Sequence, residues 1–215
     1  MKTIKNLKNS VLVITLALIT ITGSAQNGNG KIYLSISHKV ADFTTWKAGF
    51  DKDSPVRLQA GLSTVFVKQD INNTNAVTVL FAVKDLDKAK AFVSDPRLKE
   101  VMTKAGVISK PEIVFYKTAE ELDPINISEL VTTITHTVKD YSAWKRVYDS
   151  AGELRKKAGI HDNLILRSLT DENSVTVLGN SSSAAEFNAF VSDPGLKAAM
   201  EKGGVISKPE VKELL

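Results

Sequence analysis

From Lys31 the chain alternates apolar and polar side chains. Ile32, Leu34 and Ile36 fall on one face and Tyr33, Ser35 and Ser37 on the other, the period of two that predicts a strand ending at His38. Asp42 stands where a helix N-cap belongs, and Phe43, Trp46 and Phe50 follow at helical spacing. Ser54 and Pro55 interrupt or restart that helix, and Gly61 ends it. Two further strands are predicted over Ser63–Gln69 and Ala76–Val83, joined as a hairpin by the turn-rich stretch 70–75. A second helical region begins at Asp85 and carries Ala89 and Phe92. Ser94, Asp95 and Pro96 stop it and start another helix, with Asp95 as N-cap and Pro96 at the first helical position, where its missing N–H does no harm. Leu98, Val101 and Met102 give this helix its apolar stripe, Gly106 closes it, and Pro111 leads into a last strand over Glu112–Tyr116. Strand, helix, strand, strand, helix, strand is the ferredoxin-like plan.

The pattern is written twice. At a constant offset of 98, residues 38–117 align with 136–215 without a gap, and 31 of the 80 positions are identical. His136, Asp140, Tyr141, Trp144, Tyr148, Gly159, Phe190, Asp193, Pro194 and Met200 repeat the signals of the first copy. Shared local propensity does not produce a gap-free match of that length. The expected organisation is a first ferredoxin-like repeat over 26–117, an acidic, proline-containing linker over 118–129, and a second repeat over 130–215.

A four-stranded sheet with its helices on one side leaves the other face uncovered, and both faces of these strands carry apolar side chains. The second copy supplies a partner at high effective concentration. The fold expected is therefore α+β, two βαββαβ repeats paired sheet to sheet. Ile32, Leu34, Ile36, Val77 and Val79 should pack beneath Trp46, Phe50 and Phe92. Ser35, Ser37, Thr78, Thr133, Thr135 and Thr176 should line the junction between the sheets.

Composition matters chiefly at the N-terminus. Residues 1–25 read as a secretory signal: Lys2, Lys5 and Lys8, a short apolar run over Val11–Ile21, then Gly23, Ser24 and Ala25 as the small residues before a cleavage site. The run is shorter than the ~20 residues a membrane span needs. Removing it takes away three lysines and no acids, so the net charge of +4 falls to +1. No basic stripe interleaved with aromatics is left to suggest a nucleic-acid partner. The expected location is the periplasm or the exterior, without membrane contact after cleavage. The chain has no cysteine, which excludes disulfides, a thiol nucleophile and thiolate metal ligands.

The run His38, Val40, Asp42, Phe43, Trp46, Phe50, Asp51, Arg57, Ala60 and Gly61, followed by Ala91, Phe92, Ser94, Pro96, Leu98, Met102, Gly106, Val107 and Pro111, resembles the small dimeric α+β-barrel proteins related to the antibiotic biosynthesis monooxygenases. The similarity is greater to their uncharacterised cyclase-like branch, of which this chain would be a tandem-repeat member. The resemblance implies an intramolecular dimeric α+β barrel with any ligand cleft between a sheet and its own helices. Better-known members oxidise polycyclic aromatic substrates without metal or flavin, or degrade haem. The Asn, helix-borne His and sheet Trp of the haem-degrading members have no counterpart here, so no cofactor is expected.

The residues that could carry chemistry come in matched pairs. His38 and His136 end strands four residues before Asp42 and Asp140; a His–carboxylate pair could act as a general base, or each histidine could bond the adjoining loop or cap the helix. No HxH, HxxxH or acidic cluster points to a metal. Trp46 and Trp144, with Phe50 and Tyr148, could wall an aromatic pocket or belong to the core. Arg57 and Arg155 could hold an anion or pair with a nearby carboxylate or carbonyl. Phe81 of the first copy becomes Gly179 in the second, which suggests more room for a ligand there. Three functions stay open: a module binding a small apolar or aromatic molecule, a cofactor-independent monooxygenase or cyclase-like enzyme, and a structural protein without ligand.

Overall fold

A computed structural model describes residues 30–215; the expected signal peptide lies outside the described residues. The first half runs β1 (Ile32–Lys39), α1 (Phe43–Lys52), α2 (Ser54–Gln59), β2 (Leu62–Asp70), β3 (Asn73–Val83), α3 (Leu86–Ser94), α4 (Pro96–Lys104) and β4 (Glu112–Glu121). The second repeats it as β5 (Leu130–Thr137), α5 (Tyr141–Ser150), α6 (Gly152–Lys157), β6 (Ile160–Ser168), β7 (Ser174–Ser181), α7 (Ala184–Val191), α8 (Pro194–Lys202) and β8 (Glu210–Leu214). Helix starts follow from capping chemistry. Asp42 accepts from the Thr45 N–H at 2.7 Å, Asp140 from Ala143 at 2.6 Å and Asp85 from Lys88 at 3.0 Å. Gly61, Gly106, Gly159 and Gly204 leave their helices at φ of +73°, +87°, +67° and +74°, a region costly to a residue with a Cβ.

The eight strands form one closed barrel in the order β1-β3-β2-β8-β5-β7-β6-β4. Within each half the strands pair antiparallel, and the halves meet at two seams. At one, β4 pairs with β6 from Tyr116↔Ser168 to Glu121↔Leu164. This strand extends past Tyr116, where the sequence pattern ended, because the second half offers it an edge to pair with. At the other, β8 meets β2 at Asp70↔Leu214, flanked by reciprocal backbone bonds between Gln69 and Leu215 at 2.9 and 2.8 Å. Closure leaves no open edge in the ring.

The barrel interior is a shared core. Tyr33, Phe66, Leu80 and Tyr116 of the first half interlock with Val131, Leu164, Leu166, Leu178 and Leu214 of the second. The expected Ser/Thr junction is thus corrected to a mainly apolar one. Its hydroxyls pair with each other, Ser37 with Thr78 at 3.0 Å and Thr135 with Thr176 at 2.8 Å. Lys212 ties the halves across this face, reaching Glu112 at 2.9 Å, Glu210 at 3.1 Å and the Ser37 hydroxyl at 3.4 Å. Matched bulges between Thr64 and Phe66 in β2, and between Asp162 and Leu164 in β6, flip the alternation, so that Phe66 and Leu164 point inward although their even-numbered predecessors face the helices.

Outside the barrel, the helices of each half cover its own sheet. In the first, Leu34, Ile36, Val77, Val79 and Phe81 pack under Trp46 and Ala89, with Phe50 and Phe92 beside them, as the strand alternation predicts. The second half makes one exchange: where the first has Phe81 on the strand and Ala89 on the helix, the second has Gly179 and Phe187 at the matched positions. The ring has crossed from sheet to helix. Phe81→Gly alone should cost about 3–5 kcal/mol through the cavity left, and Ala89→Phe alone about 1–3 kcal/mol through overpacking. The double variant should lose clearly less than the sum, a coupling readable in a double-mutant cycle by denaturant unfolding.

Candidate functional site

Between the first sheet and its helices lies a cleft of about 400 Å³; the matched space in the second half is about 60 Å³. The expectation that Gly179 makes the second half roomier is therefore corrected. A Cβ on Gly179 would stand 2.7 Å from the His161 carbonyl oxygen, so the glycine answers to close approach of the β6 backbone. The space Phe81 vacates is taken by Phe187, and Val147 and Leu154 add side chains where the first half has Gly49 and Val56.

The paired candidates are brought together in one column per half. His38 meets the edge of Trp46 at a centroid distance of 5.2 Å, Trp46 stacks on Phe50 at 5.0 Å, and the Arg57 guanidinium lies 3.5 Å over the Phe50 ring. His136, Trp144, Tyr148 and Arg155 repeat the column at 5.5, 4.9 and 3.6 Å. Helical spacing puts Trp46 and Phe50 one turn apart on the face over the sheet, and restarting the helix at Ser54 turns Arg57 back onto Phe50, whose carbonyl it bonds at 2.6 Å. Arg155 bonds the Tyr148 carbonyl likewise at 2.6 Å. Both tryptophans are buried core residues whose surfaces also border the clefts.

The His–Asp pairing is not formed. Asp42 and Asp140 cap helices, and no carboxylate contributes to the titration of either histidine. Burial alone pulls both imidazoles down from 6.5 to about 4, so they are neutral above that range. Neither ring nitrogen of His38 or His136 has a hydrogen-bond partner. The two histidines line separate clefts. Among the described residues, no group of three or more His, Cys, Asp or Glu could hold a metal ion.

One partner separates the arginines. Arg155 Nε donates to both carboxylate oxygens of Asp162, at 3.1 and 2.8 Å, whereas Arg57 Nε is buried without a partner. Thr64, exposed and bearing a hydroxyl and a methyl in place of a carboxylate, stands at the position of Asp162. Sequence reasoning missed Asp162, although the Thr64/Asp162 difference between copies was a readable signal. It also gave no role in the cleft to Phe81, Leu98, Val101 and Met102, which line it. The copies share Leu98 and Met102 but not Phe81 and Val101, and sequence alone does not tell a filled wall from an open one. At the mouth, Val56 and Val101 remain 53% and 46% exposed, apolar surface left uncovered beside the cleft.

With this geometry established, comparison with solved structures shows the fold: it is that of the dimeric α+β-barrel proteins, which include antibiotic biosynthesis monooxygenase-like and chlorite dismutase-like chains. An anthrone oxidase-like protein superposes with a TM-score of 0.62 at 10% identity, over 87% of this chain and 91% of that one. A protein provisionally named a monooxygenase from Lactobacillus acidophilus NCFM gives 0.56 at 12% identity, over 86% and 93%. A mutant chlorite dismutase from Candidatus Nitrospira defluvii gives 0.51 at 9%, over 86% and 91%. At such identities the likeness is one of fold. No protein-family profile and no curated protein matches the chain by sequence.

Two outcomes follow. Asp42→Ala should lower stability by about 1 kcal/mol, the cost of a lost cap, and leave the His38 titration by NMR unchanged; a shifted titration would restore the His–Asp pair. Between about pH 6.5 and about 4 the unfolded histidines bind protons that the folded ones refuse. Stability should therefore fall as pH drops through that window, by on the order of 3 kcal/mol per histidine, and level off below it. A His38→Gln, His136→Gln double variant should flatten that part of a pH series of urea unfolding curves.

Proposed function

We propose that this protein binds a small, largely apolar or aromatic molecule in the cleft of its first half. The observation that carries the reading is the asymmetry of the duplicated site: the same column borders about 400 Å³ in one half and about 60 Å³ in the other. A packing role for these residues is fulfilled by the closed half, so the open one asks for a different reason. Its size suits a small ligand, and its lining is apolar with a few polar groups, the usual make-up of such sites. The signal-like residues 1–25 support a role outside the cytoplasm, in the periplasm or beyond.

A second reading, cofactor-independent oxidation, is favoured by one feature. His38 is neutral at physiological pH, buried at 7% exposure, and lines the cleft with both ring nitrogens unpartnered, so it could accept a proton from an acidic aromatic substrate. His136 has the same state in the cramped half, which marks the feature as one the fold produces by itself. Binding is therefore preferred. Oxygen uptake on adding anthrone, lost in His38→Gln, would replace it by turnover.

Calorimetric titration with 1-naphthol tests the binding reading. Val101→Trp places a ring over the mouth from a half-exposed position, and should weaken binding about ten-fold or more with little change in melting temperature. Unchanged affinity would place the probe elsewhere.

A further inference from the structure

We infer that the first-half cleft takes a ligand carrying a carboxylate on its apolar body, received by Arg57 Nε in the place that Asp162 occupies against Arg155 in the second half. This rests on the binding reading above and specifies the ligand.

The argument is an internal comparison. The two arginines share their stacking partner, their carbonyl bond and their burial, at 7% and 8% exposure. They differ at one donor. In the second half the Nε–H meets a carboxylate built into β6; in the first the same atom is buried and unpaired. A buried guanidinium with an unmet donor is costly, and supplying a charged acceptor is strongly favourable. Asp51 and Asp53 lower the cost only from a distance. Both are exposed, and neither comes within ion-pair range of Arg57. At the mouth Arg97 is already held by Asp95 through both Nε and Nη2, so it is not a competing anchor.

The second half thus shows the same arginine with a carboxylate of the chain itself against its Nε. Asp162 fills the anion position and Phe187 and Leu154 fill the apolar one, with about 60 Å³ left over. In the first half Thr64, Ala89 and Val56 stand at those three positions, none of them with a carboxylate or an aromatic ring, and Arg57 and Val56 border the cleft. A carboxylate at the Arg57 end, with an aromatic body against Phe81 and Met102, occupies the two together.

Calorimetry with 2-naphthoate and its neutral isostere 2-naphthamide tests the assignment. Wild type should bind the acid about ten-fold or more tightly than the amide, the discrimination expected of a charged hydrogen bond. Thr64→Asp supplies the missing internal carboxylate and should abolish that preference while amide binding persists; Thr64→Asn should retain it. Arg57→Gln should abolish it without altering β2. Equal binding of acid and amide by wild type overturns the carboxylate assignment and leaves the cleft reading standing. Failure of both probes to bind overturns the cleft reading and this inference with it. A preference that survives Thr64→Asp or Arg57→Gln overturns the placement at Arg57.

Discussion

Burial of two sheet faces against each other is the constraint from which the remaining structure follows. Each half is a four-stranded sheet with apolar side chains on both sides and helices for only one of them. Tyr33, Phe66, Leu80 and Tyr116 have no cover within their own half, and Val131, Leu164, Leu166, Leu178 and Leu214 supply it. Joining the two sets gives the barrel its interior, draws β4 and β8 across to the opposite half, and removes the exposed edges that separate halves would present. With the inner faces committed to the junction, the outer faces and their helices frame the two clefts.

The two outer spaces differ on one framework. The column of imidazole, indole, phenyl ring and guanidinium is common to both, with centroid distances that differ by a few tenths of an ångström. The differences that close the second space are a phenyl ring moved from strand to helix, a carboxylate gained on β6 and larger side chains at two helix positions. Phe187 and Leu154 add bulk there, and Asp162 satisfies the arginine. Together they turn a cleft into core.

Much of this was legible in sequence because it depends on local rules. Asp42, Asp85, Asp95 and Pro96 mark helix starts through capping and missing-donor chemistry; the alternation of β1 and β3 sorts their side chains correctly into helix-facing and barrel-facing sets. What escaped depends on contacts distant in sequence. The bulges in β2 and β6 reverse the parity that alternation relies on, and no residue type announces them. Gly179 reads as an empty place, since the His161 carbonyl beside it belongs to another strand. The hydroxyls of the inner face drew attention as polar, while the Tyr, Phe and Leu residues that dominate that face lay scattered over seven strands. For the site, the members of the column were identifiable from their repetition, but the open and closed states of the two clefts needed side-chain positions.

The covalent linkage of the halves has a consequence for how occupancy depends on concentration. In a dimer of identical chains every substitution appears twice, so a site cannot be closed in one subunit and kept in the other, and two equivalent sites can influence each other's filling. Here the peptide connection between β4 and β5 breaks that equivalence. One half can serve as a permanently filled scaffold while the other exchanges with solvent. On the proposed binding reading the stoichiometry is one ligand per barrel, the isotherm a simple hyperbola, and the barrel keeps half of its outer core intact when the ligand leaves.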